Sequence, residues 1–271
     1  MNFEQILRRA EPQHVSSASP RIIQWRRAVP LLTLIVFLAA WQAAISVWGV
    51  QPYILPSPGD VAAKAVRVIG DGTLLANTLV TLVEVLGGLA LGVTVATVLG
   101  YALARSVTIE QALGPYLVAS QAVPIVAITP FLILWFGYGP MSKVLISALI
   151  VFFPILINTI AGVRSVPAEL HDLMRTLRAT RWQTFTKLEL PAALPVLLAG
   201  LKVGATLSVT GAVVGEIYGA DKGLGVMISI ANGQYDVPRM FVGVFALVAL
   251  ALALYGLVGL VERRALGWKR Q

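Results

Sequence analysis

The chain has 271 residues, of which 57% are hydrophobic and only 13% charged, with a formal net charge of +8 and a mean hydropathy of +0.80. A soluble domain carries about a quarter charged residues, so the composition excludes an ordinary soluble protein and makes the bilayer the medium that covers most apolar surface. The absence of cysteine excludes disulfides, zinc thiolates and iron–sulfur clusters, and in a membrane chain an excess of Lys and Arg marks inner loops rather than a nucleic-acid partner.

Residues 1–27 are polar and hold Arg8, Arg9, Arg21, Arg26 and Arg27. They read as an N-terminal cytoplasmic tail with one short amphipathic helix, Asn2 to Arg9. The apolar run Val29 to Val47 approaches the about 20 residues that cross a bilayer, and the long tail before it argues for an uncleaved first span over a signal peptide. Residues 49–76 are rich in proline, which biases each preceding residue away from helix; they form an external segment with a surface helix over Val61 to Ile69. A second span runs from Asn77 to Ala104, with Gly87, Gly88, Gly92 and Gly100 as small faces for close helix packing. A third covers Ala112 to Ile128 and is interrupted by proline. A fourth, Ser142 to Val163, contains Pro154 and Asn158. A fifth, Leu194 to Val214, is followed by an external segment over 215–237, and a sixth spans Pro238 to Val261. The domains are therefore a tail (1–27), a membrane domain (28–262) and a C-terminal tail (263–271).

Between the fourth and fifth spans lies a polar interruption, RSVPAELHDLMRTLRATRWQTFTKLELP, residues 164–191. Leu170, Leu173, Met174 and Leu177 fall at i, i+3, i+4 and i+7 and share one helix face. Pro167 and Glu169 suit that helix's first turn. Thr180 and Gln183 have the spacing of a capping box that opens a second short helix, and Pro191 and Pro195 end the pattern. Of the 21 Lys and Arg residues, 15 lie in the segments that are inner when the N-terminus is inside. Lys64, Arg67, Lys143, Lys222 and Arg239 fall in the outer ones, and Lys202 in or near the fifth span. This bias gives six spans with both termini cytoplasmic and puts 164–191 in the cytoplasm.

In that elbow, Asp172-Leu173-Met174, three residues, Arg178, nine residues, Leu188, one residue and Leu190-Pro191 resembles the "EAA" loop of ABC importer permeases. The gaps match; Asp172 stands for Glu, Leu173-Met174 for Ala-Ala, and Arg178 for a Gly whose place implies left-handed backbone. The words LPSPGDV, PIVAITPFLILWFGYGP and GLG at 223–225 are similar to those of the nitrate/sulfonate/taurine branch, and FFPILINTIAGVRSVPAELHDLMRTLRATRWQ with VTGAVVGE resembles its pyrimidine or vitamin-precursor members. The resemblance implies an all-α membrane protein with the six-helix, MetI-like fold of type I importers and a cytoplasmic coupling helix. It further implies a homodimer in a bacterial cytoplasmic (inner) membrane, two cytoplasmic ABC ATPase subunits that carry ATP and Mg, and an extracytoplasmic substrate-binding protein, with no cofactor, metal or nucleic acid on this chain. The coupling residues would be Glu169, Leu170, Asp172, Leu173, Met174, Arg175, Leu177, Arg178 and Arg181. The cargo would be a thiamine-pyrimidine or riboflavin-type precursor, or else a sulfonate, taurine or nitrate.

The chain has no GxxxxGK[ST] loop, and no GxSxG, HExxH or CxxC, so neither nucleotide hydrolysis nor another enzymatic reaction has residues to carry it. Polar residues within the spans are the other candidates. Glu84 either lines a pathway or pairs with a neighbour, since a carboxylate at a helix centre costs about 3 kcal/mol. Lys202, Thr206 and Thr210 share a face that lines a pore or bonds helix to helix, with Lys202 reaching the inner interface. Asn158 has the same two readings. Glu216 sits at the external mouth as a gate or a solvated charge. Trp41, Trp48, Trp135 and Trp268 lie near span ends, as in an aromatic belt. His14 and His171 are too far apart to build a metal site on. The rival function is an ion-coupled secondary transporter working without an ATPase.

Overall fold

The computed structural model describes residues 20–267. The helical prediction for Asn2 to Arg9, His14, Trp268 and the last two cationic residues lie outside them. Contacts divide the chain into two units at Pro58 and Gly59. In the first, a single helix, α1 (Pro20–Trp48), starts nine residues before the apolar run, so the end of the polar segment continues the helix.

The second unit is helical throughout its regular structure. α2 (Pro58–Gly70) is short and amphipathic and buries Val61 and Val68. Asp71 accepts the Thr73 backbone N–H at 2.9 Å just before α3, and this bond holds its carboxyl below the usual carboxylate range. The frame consists of α3 (Thr73–Arg105), α6 (Pro140–Arg164) and α9 (Leu190–Gly219). α3 and α6 run the same way, and α9 returns. α6 has 25 residues, about 37 Å of helix at 1.5 Å per residue, enough to cross the about 30 Å hydrocarbon layer.

Small residues set how closely these helices approach. On α3 a β-carbon at Gly92 would come within 2.8 Å of the Ala148 carbonyl oxygen, and one at Gly100 within 2.8 Å of the Thr159 β-carbon. α9 carries a matching row, with Gly200 against Asn158, Gly211 against Ser147 and Gly215 against Lys143. α6 therefore lies between two glycine-bearing faces. In lipid, where apolar burial gives helices little reason to associate, such backbone approach supplies the dispersion contacts that hold them. Ser147 Oγ also donates to the Ser208 carbonyl at 2.9 Å. α11 (Val237–Ala265) packs through Leu254 and Val258 on Val85, Ala205 and Val209.

Four helical stretches among the described residues are long and apolar enough to cross a membrane: Thr73–Arg105, Pro140–Arg164, Arg181–Gly219 and Val237–Ala265. The predicted third span is broken, as its prolines imply. It is α4 (Val107–Gln121) and α5 (Ile125–Phe136), bent by 97° where Pro124 interrupts the hydrogen-bond ladder. Pro191 and Pro195 do not end a helix, since Arg181–Gly219 is continuous. Residues Phe185–Glu189 form a π-turn in which the Leu190 N–H reaches the Phe185 carbonyl. Pro191 has no N–H and its ring crowds the carbonyl four residues back; widening the preceding turn relieves both defects. Finally, 215–237 contains the short helix α10 (Leu224–Gly233), which packs with Leu224, Met227 and Ala231 buried.

Candidate functional site

The polar elbow is two short helices, α7 (Ala168–Thr176) and α8 (Arg181–Thr184), on the stem of α9. The turn between them closes with the Ala179 N–H on the Met174 carbonyl and the Arg178 N–H on the Arg175 carbonyl, both at 2.9 Å. This is the Schellman arrangement, and its left-handed residue is Arg178, at φ 51°. A residue with a β-carbon there costs about 1 kcal/mol relative to glycine, so the turn forms against a local preference. The capping box follows: the Gln183 N–H donates to Thr180 Oγ1 at 3.2 Å, and the Thr180 N–H to Gln183 Oε1 at 2.8 Å.

The apolar stripe of α7 is not covered by its own chain. Leu173 is 52% and Leu177 66% exposed, Leu170 is also exposed and Met174 half-buried. Glu169, Asp172, Arg175, Arg178 and Arg181 surround it at the surface, with Arg175 donating to Asp172 at 3.0 Å. The base of the elbow is anchored. Glu189, 1% exposed, accepts the Tyr101 hydroxyl at 2.9 Å and Arg105 Nη1 at 2.6 Å, both from the end of α3, and His171 Nδ1 of α7 lies 3.8 Å away. Arg164, closing α6, forks onto both oxygens of Glu110 on α4 at 3.0 and 2.5 Å.

The far end of the same helices holds a buried polar knot. Glu216 is 1% exposed, not at a solvated mouth. Its Oε1 accepts the Thr81 hydroxyl at 2.6 Å, and its Oε2 the Gly225 N–H at 2.5 Å. Thr81 Oγ1 in turn accepts the Leu224 N–H at 2.9 Å, and Asn77 Oδ1 the Gly223 N–H at 2.8 Å. Gly223 adopts φ 134°, and a β-carbon on it would collide with the Glu216 carboxyl. The two glycines of the GLG word thus leave room for that carboxylate, since a β-carbon at Gly225 would also come within 2.8 Å of Glu216 Oε2. Glu84 is buried beside Glu216, and its Oε2 has no partner among the described residues. Lys143, also buried, places Nζ among the Tyr138, Gly139 and Gly219 carbonyls and fastens the loop before α6 to the end of α9.

Of the predicted pathway residues, only Glu84 and Glu216 come together. Lys202 pairs with Glu262 in the last turns of α11 and lies 5.5 Å from the Tyr255 ring centroid. Thr206 donates to the Val203 carbonyl of its own helix, Thr210 is exposed, and Asn158 donates to the Pro154 carbonyl at 2.8 Å. Sequence reasoning missed Lys143, Thr81, Asn77, Tyr101, Arg105 and Glu189 as members of clusters. One signal was available: Glu189 stands inside an otherwise apolar LELP word, and a carboxylate entering a span calls for a partner.

The chain is similar to several known proteins. A family model described as "Binding-protein-dependent transport system inner membrane component" matches residues 88–267. The riboflavin transport system permease protein RibX of Chloroflexus aurantiacus is 45% identical over 260 residues, 94% of this chain and 97% of that protein. The formylaminopyrimidine transport permease protein ThiX of Halalkalibacterium halodurans is 34% identical, covering 89% and 96%. The taurine transport system permease protein TauC of Escherichia coli is 32% identical, covering 92% and 94%. Among solved structures, the MetNI methionine ABC transporter in an inward-facing conformation aligns with TM-score 0.61 at 17% identity, over 71% of this chain and 96% of that one; this is a likeness of fold.

Proposed function

This chain belongs to the family of binding-protein-dependent transport system inner membrane components, and from that premise we propose that it is the permease of an ATP-driven importer whose coupling element is the elbow at 164–191. It is a multi-pass transporter subunit and not an enzyme. In the proposed assembly two copies form the pathway, two cytoplasmic ATPase subunits bind ATP and Mg, and an extracytoplasmic protein delivers the solute. The observation that carries this reading is the exposed apolar stripe Leu170, Leu173 and Leu177 on a helix whose His171 lies 3.8 Å from Glu189, the carboxylate that holds the end of α3. An amphipathic helix seats such a stripe in a groove of its partner; Glu169, Asp172, Arg175 and Arg178 around it set register. Closure of the ATPases would then tilt α6 and α9 together.

For the cargo we propose a riboflavin-type compound, supported by the near full-length similarity to a riboflavin permease; a formylaminopyrimidine is the nearest alternative, followed by a sulfonate such as taurine. Glu84 and Glu216 act on this reading as the frame of the far-end gate, Lys202 as a contact from α9 to α11, and Asn158, Thr206 and Thr210 as polar groups beside the pathway. The test is uptake into proteoliposomes containing permease, ATPase and binding protein. Riboflavin is expected to accumulate only with ATP inside. Uptake that survives ATP depletion and stops when an ion gradient is collapsed would replace this reading by a secondary transporter.

A further inference from the structure

Two cavities lie at the elbow end, and Arg181 lines both. One, of about 440 Å³, is walled by Val98 and Tyr101 of α3, Trp182 and Phe185 of the elbow stem, and Leu190 and Leu197 of α9, with Glu189 also in its lining but already bonded to Tyr101 and Arg105. These are the final turns of α3 and the opening turns of α9, so the cavity lies at the depth where acyl chains begin. The other, of about 570 Å³, is lined by Arg105, His171, Arg175, Arg181 and Thr184. Arg105 and Arg175 are each committed to one carboxylate, Glu189 and Asp172. Arg181 has no acidic partner among the described residues. Trp182 is 72% exposed next to it, as suits an indole at the headgroup boundary.

We infer that this pair of cavities binds one anionic phospholipid, its phosphate on Arg181 with Arg105 and Arg175 around it and an acyl chain in the groove between Val98, Trp182 and Leu197. A guanidinium is a fitting partner for a phosphate, which it meets through paired charge-assisted bonds, and basic pockets at the cytoplasmic ends of spans are where such headgroups concentrate. A second copy of the chain would cover the apolar groove but bring no anion to Arg181. An acidic side chain of an ATPase would meet Arg181 but leave the groove, at membrane depth, unfilled. Only an amphiphile satisfies both cavities at once. Held there, the lipid ties α3 to α7 and α8 and stiffens the elbow on its stem.

The experiment measures lipid retained by the full-length protein after detergent purification, by native mass spectrometry, with phosphatidylglycerol or phosphatidylcholine supplied. About one phosphatidylglycerol per chain is expected, with phosphatidylcholine unable to replace it. Arg181→Ala should lower retention about tenfold, the worth of one charge-assisted contact. Val98→Trp, which fills the groove, should do the same without touching a charge, whereas Arg67→Ala at the far end should change nothing. Equal retention of both lipids, or no change in Arg181→Ala and Val98→Trp, overturns the inference. Displacement of the lipid by millimolar inorganic phosphate also overturns it, because it reduces the site to a simple anion pocket. So does loss of the lipid on assembly with the ATPase, which assigns the cavity to that partner. None of these readouts depends on which solute is carried.

Discussion

At the far end of the described helices, Glu216 is buried under two donors, and two glycines leave no room for a side chain around it. At the elbow end, Leu173 and Trp182 face outward, a helix is widened into a π-turn, and an arginine sits in left-handed backbone. The same three helices run through both regions. The difference is in what is covered: at the far end carboxylates are buried inside the chain, and at the elbow end an apolar stripe is left exposed. A buried hydrogen-bonded network fixes one arrangement, since any unmade bond there leaves a desolvated group that costs about 1–3 kcal/mol. An exposed face fixes nothing until something binds it, which suits a part that must move. The far end therefore reads as the fixed frame and the elbow as the moving one.

The sharpest way to break this contrast is to remove the Glu216 carboxylate. Glu216→Ala strips the acceptor from Thr81 and from the Gly225 N–H, and the expected loss is about 3 kcal/mol. It should appear as a lower Tm and loss of monodisperse protein on size exclusion. Glu216→Gln, which keeps an acceptor, should recover about half. Gly223→Ala should match the alanine variant although it changes no charge. A knot that tolerates all three would not be the frame.

Next in size is the link between the regions. Glu189→Ala frees Arg105 and Tyr101 at once and should cost about 2 kcal/mol. Tyr101→Phe alone should cost about 1 kcal/mol, and the double variant less than the sum, because both remove the same bond. The measurement is thermal unfolding, paired with substrate-stimulated ATP hydrolysis in the assembled transporter. Hydrolysis uncoupled from transport in Glu189→Ala would mark the residue as the hinge between elbow and spans.

How far each region can be read in the sequence follows from the range of its interactions. The elbow is local. Leu170, Leu173 and Leu177 at helical spacing, the Thr180–Gln183 capping box and the odd residue at 178 all act within ten positions, and each has its expected form. The knot joins Thr81, Glu216 and Leu224 across 135 and 143 positions, and no periodicity carries information over that distance. Glu84 and Glu216 were visible as anomalies, yet nothing local says that they meet. The prolines misled for a related reason: Pro191 ends a helix only if the preceding turn stays α-helical, and the widening at 185–189 is a tertiary accommodation. Lys143, which counts as an outer-loop cation by position, is buried because three carbonyls from two segments converge on it.

If the elbow is a docking surface, Leu173→Asp should leave the unfolding free energy within about 0.5 kcal/mol of the parent, as substitutions on exposed faces do. The same variant should cut substrate-stimulated ATPase activity more than about tenfold, the loss expected when a charge enters an apolar anchor site. Asp172→Lys should do likewise, through register and not through packing. A Leu173→Asp, Asp172→Lys double variant that assembles stably and keeps full activity would refute the coupling assignment.

The smallest expected effect separates stability from function within the elbow itself. Arg178→Gly removes a β-carbon from backbone at φ 51° and should relieve about 1 kcal/mol of local strain. The gain would be smaller on unfolding, because glycine also widens the unfolded ensemble by a comparable amount. Thermal unfolding should therefore move little, in contrast to the variants at the knot. Coupling need not follow, since Arg178 is also one of the charges around the Leu173 stripe. If the side chain sets register on the ATPase, Arg178→Gly lowers stimulated hydrolysis several-fold while Tm is unchanged, and Arg178→Asn, which tolerates left-handed backbone but has no charge, shares the defect. If only the turn matters, both variants keep full activity, and the arginine is no more than a strained substitute for glycine.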